Sequence, residues 1–234
     1  MKGDFYDIDY IRKVFHQKID NANLAKVNET KLRKVGYGVS GKIVFKSNDG
    51  NVKQFIKKYI EKNKVVDLNQ NSFLYHNPQI RNTIGKMKRE YDVIEFDTLK
   101  YIHISKLEEA NVSKETLMDY CYNVKSLMED KYFSVKTLNY EGFSHSIDSL
   151  GFGEMFYESI LEGDDTCKSF VINNTKIYTW KDNARGMPEI VEEYIWQNDK
   201  IDIYDFIDEL YKKYGLKIGK LKLENYLQSA NVYY

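Results

Sequence analysis

A chain of 234 residues with 42% hydrophobic, 15% aromatic and 30% charged residues can bury a core and falls outside the compositions of disordered proteins. Its formal net charge of zero excludes long-range attraction to a polyanion, and no apolar run reaches the roughly 18 residues of a membrane span. The opening residues, MKGDFYDIDYIRK, place acids where a signal peptide would be apolar, so a cytoplasmic location away from membranes is expected.

The zero balance hides an asymmetry. Residues 1–100 hold 20 Lys and Arg against 12 Asp and Glu, whereas residues 101–234 hold 15 against 23. Only the first half is a candidate for phosphate, and such binding should be local and salt-sensitive. Attraction between the two halves accounts for the same numbers.

In chain order, helices are expected near 5–18, 27–35, 51–62 and 78–90, the last opened by Pro78 in a position suited to a first helical turn. Val93–Ile104 alternates around Asp97-Thr98-Leu99 as a hairpin would. In 113–128, apolar residues at Leu117, Tyr120, Cys121, Val124, Leu127 and Met128 share one helical face behind a Ser113 cap. Tyr132-Phe133 reads as a short extended piece, Val135–Glu141 and Glu154–Glu162 as helices, and Phe170–Trp180 as a hairpin around Asn173-Asn174-Thr175. Beyond Pro188 come a helix through Trp196, the link Lys200–Ile203, a helix over Tyr204–Tyr214 and a last helix near 219–229. The fold class is therefore mainly α with short β-hairpins (α+β).

The order helix, short strand, helix, helix, hairpin, carried in Arg89-Glu-Tyr-Asp-Val-Ile-Glu-Phe and in Phe170–Trp180, resembles tandem winged helix-turn-helix modules. These include the HARE-type modules of bacterial DNA- and RNA-polymerase-associated proteins. The resemblance covers roughly three quarters of the chain and is one of element order. It implies two or three winged-helix units: a basic one at 1–108, an acidic one at 109–186, and a third at 187–234 that stops at Val232-Tyr233-Tyr234 before its wing. It further implies contact with double-stranded DNA through the third helix and the wing, in a setting of transcription or mobile elements. A minority of such modules bind proteins instead.

The stretch Gly36-Tyr37-Gly38-Val39-Ser40-Gly41-Lys42 fits the phosphate-cradling pattern G-x-G-x-x-G, and Lys57 follows Gly41 by 16 residues, near a kinase spacing. The companion parts are missing. No H-R-D catalytic loop or D-F-G occurs, Asp205-Phe206-Ile207 lacks the glycine, and Ile43 stands where a P-loop needs a hydroxyl. A helix stop explains Gly36 better, because Leu32-x-x-x-Gly36-Tyr37 recurs as Leu138-x-x-x-Gly142-Phe143, Ile147-x-x-x-Gly151-Phe152 and Tyr211-x-x-x-Gly215-Leu216. The loop then reads as a stop followed by a flexible turn. A nucleotide-binding enzyme built on Gly36–Lys42 stays as the second alternative.

No catalytic, metal or cofactor site is expected. His16, His76, His103 and His145 are scattered, Cys121 and Cys167 form no C-x-x-C, and Glu162-Gly163-Asp164-Asp165 reads as a solvated loop. His145 and Asp148 are close enough for acid–base chemistry but have no nucleophile with a local signature. Sequons at Asn28, Asn111 and Asn173 matter only in a secreted protein.

The helix Pro78–Glu90 is the best nucleic-acid candidate. With Ile80, Ile84 and Met87 on the core, Gln79, Arg81, Asn82, Lys86, Lys88 and Arg89 can face phosphates and base edges. The final helix offers Lys217, Lys220, Lys222, Asn225 and Gln228 in the same way. Both runs also fit a solvated face. Glu154, Glu158, Glu162, Asp164 and Asp165 should make the middle unit repel DNA, so it is the expected dock for a partner protein. The expected function is a non-enzymatic DNA-binding module, with a protein-interaction scaffold as the first alternative.

Overall fold

Asn51 and Gln54 satisfy each other's orphan groups. The Asn51 side chain accepts from the amides of Lys53 and Gln54 at 3.0 Å, and the Gln54 side chain accepts from the Asn51 amide at 3.0 Å. This capping box starts the helix Val52–Asn63, whose residues Val52, Phe55, Ile56 and Ile60 are spaced to bury one stripe. Local rules of this kind build most of the molecule. The computed structural model describes residues 4–18, 29–198, 200 and 202–229, and divides the chain into two units, Met1–Ser113 and Lys114–Tyr234.

The first unit runs β1 (Phe5–Asp7), α1 (Ile8–Lys18), α2 (Glu29–Lys34), β2 (Tyr37–Ser40), β3 (Ile43–Lys46), α3 (Val52–Asn63), β4 (Val65–Asp67), α4 (Ser72–Tyr75), α5 (Pro78–Arg89), β5 (Val93–Asp97), β6 (Lys100–His103) and α6 (Ile104–Glu108). It holds two antiparallel three-stranded sheets, ordered β1-β3-β2 and β4-β6-β5. Phe55, Ile56 and Ile60 of α3 and Ile80, Ile84 and Met87 of α5 form one core with Val93 and Tyr101 of the second sheet. The helix expected from residue 5 gives its first three residues to β1, because Phe5, Tyr6 and Asp7 pair with Phe45, Val44 and Ile43, partners invisible to local spacing. Residues 27 and 28 of the expected second helix lie outside the described residues.

The second unit runs α7 (Lys114–Met128), α8 (Val135–Tyr140), a 3-10 turn at Ser146–Leu150, α9 (Glu154–Leu161), β7 (Lys168–Ile172), β8 (Thr175–Thr179), α10 (Met187–Gln197), α11 (Ile203–Tyr214) and α12 (Lys220–Ser229). The β7–β8 turn is tight because Asn173 and Asn174 both adopt positive φ, 47° and 64°. Phe133 pairs with Tyr178, donating its amide at 3.0 Å and accepting from Tyr178 at 2.7 Å, so the Tyr132-Phe133 piece joins the hairpin as a one-residue strand. Phe133 also stacks on Trp180 at 5.2 Å.

A separate third unit from residue 187 differs from the packing observed. Met187, Ile190, Val191, Phe206, Leu210, Leu223 and Leu227 share one buried cluster with Tyr132, Ile172 and Ile177, so α10–α12 close over the same core as the β7–β8 hairpin. The reason lies in strand alternation: Ile172 and Ile177 face a side of the hairpin that needs an apolar cover. Tyr132 ties the two parts further, its hydroxyl accepting from the amides of Arg185 and Gly186 at 3.0 Å each and bonding to Glu189. The expected truncation at residues 232–234 lies outside the described residues.

All four expected glycine stops have left-handed φ: Gly36 at 88°, Gly142 at 74°, Gly151 at 69° and Gly215 at 74°. Gly142 closes α8 as anticipated, with the Phe143 amide donating to Leu138 at 2.9 Å. Gly151 ends the 3-10 turn, not an α-helix.

Candidate nucleic-acid interface

Helix α5 is fixed at its start by one side chain. Asn77 accepts from the amides of Gln79 at 2.9 Å and Ile80 at 3.4 Å, while its own amide donates to the Ser40 carbonyl at 3.2 Å and the Ser40 hydroxyl at 3.1 Å. The same residue therefore caps α5 and pins the tip of the β2–β3 hairpin against it. Pro78 follows as the first helical residue, where its missing N–H costs nothing.

Ile80, Thr83, Ile84 and Met87 are buried, so the opposite line of the helix runs through Asn82, Gly85 and Arg89, flanked by Arg81 and Lys86. Gln79, Arg81, Asn82, Lys86 and Arg89 are exposed. Among the described residues no carboxylate lies within ion-pair distance of Arg81 or Arg89, and Lys86 reaches only Glu90, at 3.4 Å. Such an exposed pair is weak and salt-screened, which leaves the cation open to competition.

Lys88 departs from the expected outward set. It is largely buried, with 17% side-chain exposure, and ion-pairs with Glu95 of β5 at 2.9 Å. Helical spacing puts Lys88 at the edge of the outward face, and the return of β5 beside α5 brings up the Glu95 carboxylate that it pairs with. The β5–β6 turn is charge-balanced in the same way, with Lys100 held by Asp97 at 2.7 Å.

Gly85 has no packing reason to be glycine. A Cβ built on it meets nothing within 4 Å, yet glycine inside a helix costs about 1 kcal/mol relative to alanine. Gly85→Ala is accordingly expected to stabilise the first unit by about 1 kcal/mol in urea unfolding followed by circular dichroism. Its present effect is to leave bare backbone at the centre of the cationic face.

The α12 set is arranged differently. Lys217 precedes the helix, and its carbonyl accepts from the Asn173 side chain at 2.9 Å. Lys222 bonds back to Asn173, and Lys220 lies 3.8 Å from Glu224 and 5.2 Å above the Tyr204 ring. Asn225 and Gln228 are exposed, but Leu221, with 73% exposure, shares their side of the helix. Two of its three lysines thus serve the second unit itself.

Three of the five acids named for the second unit are also engaged, while Glu154 and Asp165 are exposed. Lys176 bridges Glu162 at 2.6 Å and Glu158 at 3.3 Å. Burial works against ionisation of Asp164, but hydrogen bonds from Thr166 at 2.9 and 2.7 Å and from the Trp180 indole at 3.1 Å outweigh it and hold the carboxyl below its usual range. His145 and Asp148 meet as a cap: the His145 amide donates to Asp148 at 2.7 Å, while the His145 ring lies 3.2 Å from Asp119.

The Gly36–Lys42 stretch folds as the β2–β3 hairpin, not as a flexible turn. Gly36 ends α2, and Gly38 lies opposite Phe45, whose ring would stand 2.7 Å from any added Cβ. Gly41, at φ 59°, makes the turn. Strand pairing from Tyr37 to Ser40 engages this backbone, and Lys42 ion-pairs with Asp9 at 2.9 Å. The alternation of Tyr37 and Val39 was a signal for this hairpin. The Asn77-Pro78 dipeptide was a readable cap, and Gly85 stood in plain view within the helix.

No family model matches the chain, and no curated protein matches it either.

Proposed function

We propose that the first unit is a winged-helix module that binds double-stranded DNA without catalysis, laying α5 in the major groove. Two observations support the winged-helix reading. The element order is α3, β4, α4, α5, β5, β6, with β6 between β4 and β5. The second unit repeats it as α7, the Phe133 strand, α8, α9, β7 and β8, with Phe133 on β8.

The observation that carries the DNA reading is the outward face of α5. Arg81, Lys86 and Arg89 supply cations for phosphate, Gln79 and Asn82 carry amides able to read base edges, and Gly85 allows close approach at the centre. An internally satisfied charged face would need its own carboxylates, and Arg81 and Arg89 have none among the described residues.

Fluorescence anisotropy with a mixed-sequence duplex at about 50 mM and about 200 mM salt tests the proposal. Three phosphate contacts predict a slope of log affinity on log salt near −3 and a loss of roughly fiftyfold across that interval. No binding at about 50 mM salt rejects the reading.

A further inference from the structure

In the second unit, α9 occupies the place in the element order that α5 holds in the first, but its surroundings have the opposite character. A cavity of about 320 Å³ opens beside its first turn. Tyr120 of α7, Phe143 and Phe152 of the connecting segment, and Tyr157 of α9 supply aromatic walls, while Asp148 and Glu154 supply carboxylates. Among the described residues no Lys or Arg lines it.

The walls are held by their neighbours. Tyr120 meets Phe143 edge-on at 5.5 Å and tilts against Tyr157 at 5.7 Å, and Phe152 stacks on Phe156 at 4.2 Å. Asp148 is fixed by the His145 amide at 2.7 Å. Burial, with the Asp148 charge beside it, pushes the Tyr157 phenol up to about 12, so that hydroxyl stays protonated. Aromatic rings with charge-rich faces and two carboxylates make an environment for a cation, with an apolar stem lying along the rings. The start of α9 contributes only about half a positive charge, and Glu154 stands in its first turn against it.

We infer that this cavity receives a lysine or arginine side chain from a partner protein. Its volume is at the lower end of ligand sites and suits one side chain better than a larger molecule. The surplus of acids in residues 101–234 favours a basic partner and disfavours nucleic acid. The inference is independent of DNA binding by α5.

The test is an amide NMR titration of the full chain with three capped amino acids: acetyl-arginine methylamide, acetyl-norleucine methylamide and acetyl-glutamate methylamide. The arginine probe is expected to shift the amides of Gly153, Glu154 and Tyr157 with a dissociation constant of about millimolar order, at least fivefold tighter than norleucine. Glu154→Gln should weaken it by roughly twofold to fivefold, and Phe152→Leu, which keeps an apolar wall without the ring, by a similar factor. Equal binding of norleucine, preferred binding of the glutamate probe, or arginine shifts confined to other residues would overturn the inference. So would a free alkylammonium that binds more tightly than the arginine probe, since that marks a small-amine site. Loss of duplex binding by the first unit with arginine binding intact leaves this inference standing, and the converse result removes it alone.

Discussion

Combined substitution of Arg81, Lys86 and Arg89 by alanine is expected to abolish most duplex binding, lowering affinity at about 50 mM salt by roughly a hundredfold and taking the salt slope from near −3 to near zero. Each of the three is exposed, so the fold should change by no more than about 0.5 kcal/mol per site, and circular dichroism should be unaltered. Lys88→Ala is the control. Its ammonium already belongs to Glu95, so its removal costs stability but should leave the salt slope as it was. If the triple variant binds like the parent, α5 is not the reading helix. If Lys88→Ala instead removes one unit of slope, the Lys88–Glu95 pair opens on binding. Gln79→Ala and Asn82→Ala should change preference among sequences more than the slope, because amides read base edges and phosphates set the salt dependence.

Phe206→Ala should have the largest effect on stability. Phe206 is buried in α11 and stacks on Tyr194 at a centroid distance of 3.6 Å, and truncation of a buried phenylalanine costs about 3–5 kcal/mol. Because Phe206 shares its core with Ile172 and Ile177, the loss should be felt by the hairpin as well. Trp180 follows β8 and is buried, whereas Trp196 of α10 is 88% exposed, so tryptophan fluorescence during urea unfolding reports mainly on the hairpin. Its midpoint is expected to fall by about 1–3 M. Phe206→Leu, which keeps much of the apolar volume, should cost less than about 1.5 kcal/mol. An unmoved Trp180 transition in Phe206→Ala would show that α10–α12 fold apart from the hairpin, as an independent third module would.

Much of the fold was legible wherever the deciding interaction spans a few residues. Of the expected stripe of α7, Leu117, Tyr120, Cys121, Val124 and Met128 are buried as their spacing required, whereas Leu127 is exposed. Ile80, Ile84 and Met87 of α5 face the core, and the hairpin turns at Asn173-Asn174. The glycine stops could be read because only a residue without Cβ enters the left-handed region freely. Tyr91, at φ 54°, ends α5 with the same geometry, the Asp92 amide donating to Met87 at 2.8 Å, but a tyrosine there carries no such signal. Its left-handed backbone is held by burying the ring.

The candidate site was legible as a set of residue types and not as a surface. Helical spacing placed Arg81, Asn82, Lys86 and Arg89 outward, as they are found, and also admitted Lys88, which Glu95 withdraws. The aromatic cavity of the second unit has no local sequence signature, since Tyr120, Phe143, Phe152 and Tyr157 come from three separate parts of the chain.

The sequence by itself determined where most of the longer helices lie, the main apolar stripe of α5 and α7, and that cations concentrate in the first hundred residues. Caps, turn conformations and i, i+4 neighbours act across a few bonds, so adjacent letters encode them. Only the tertiary structure decided that Gly38 lies under Phe45, that Asn77 holds Ser40, that Phe133 joins Tyr178, and that the last three helices cover the β7–β8 hairpin. Those pairings join residues far apart in the chain, and burial selects them by apolar area and shape, which many alternative partners in the same sequence could offer.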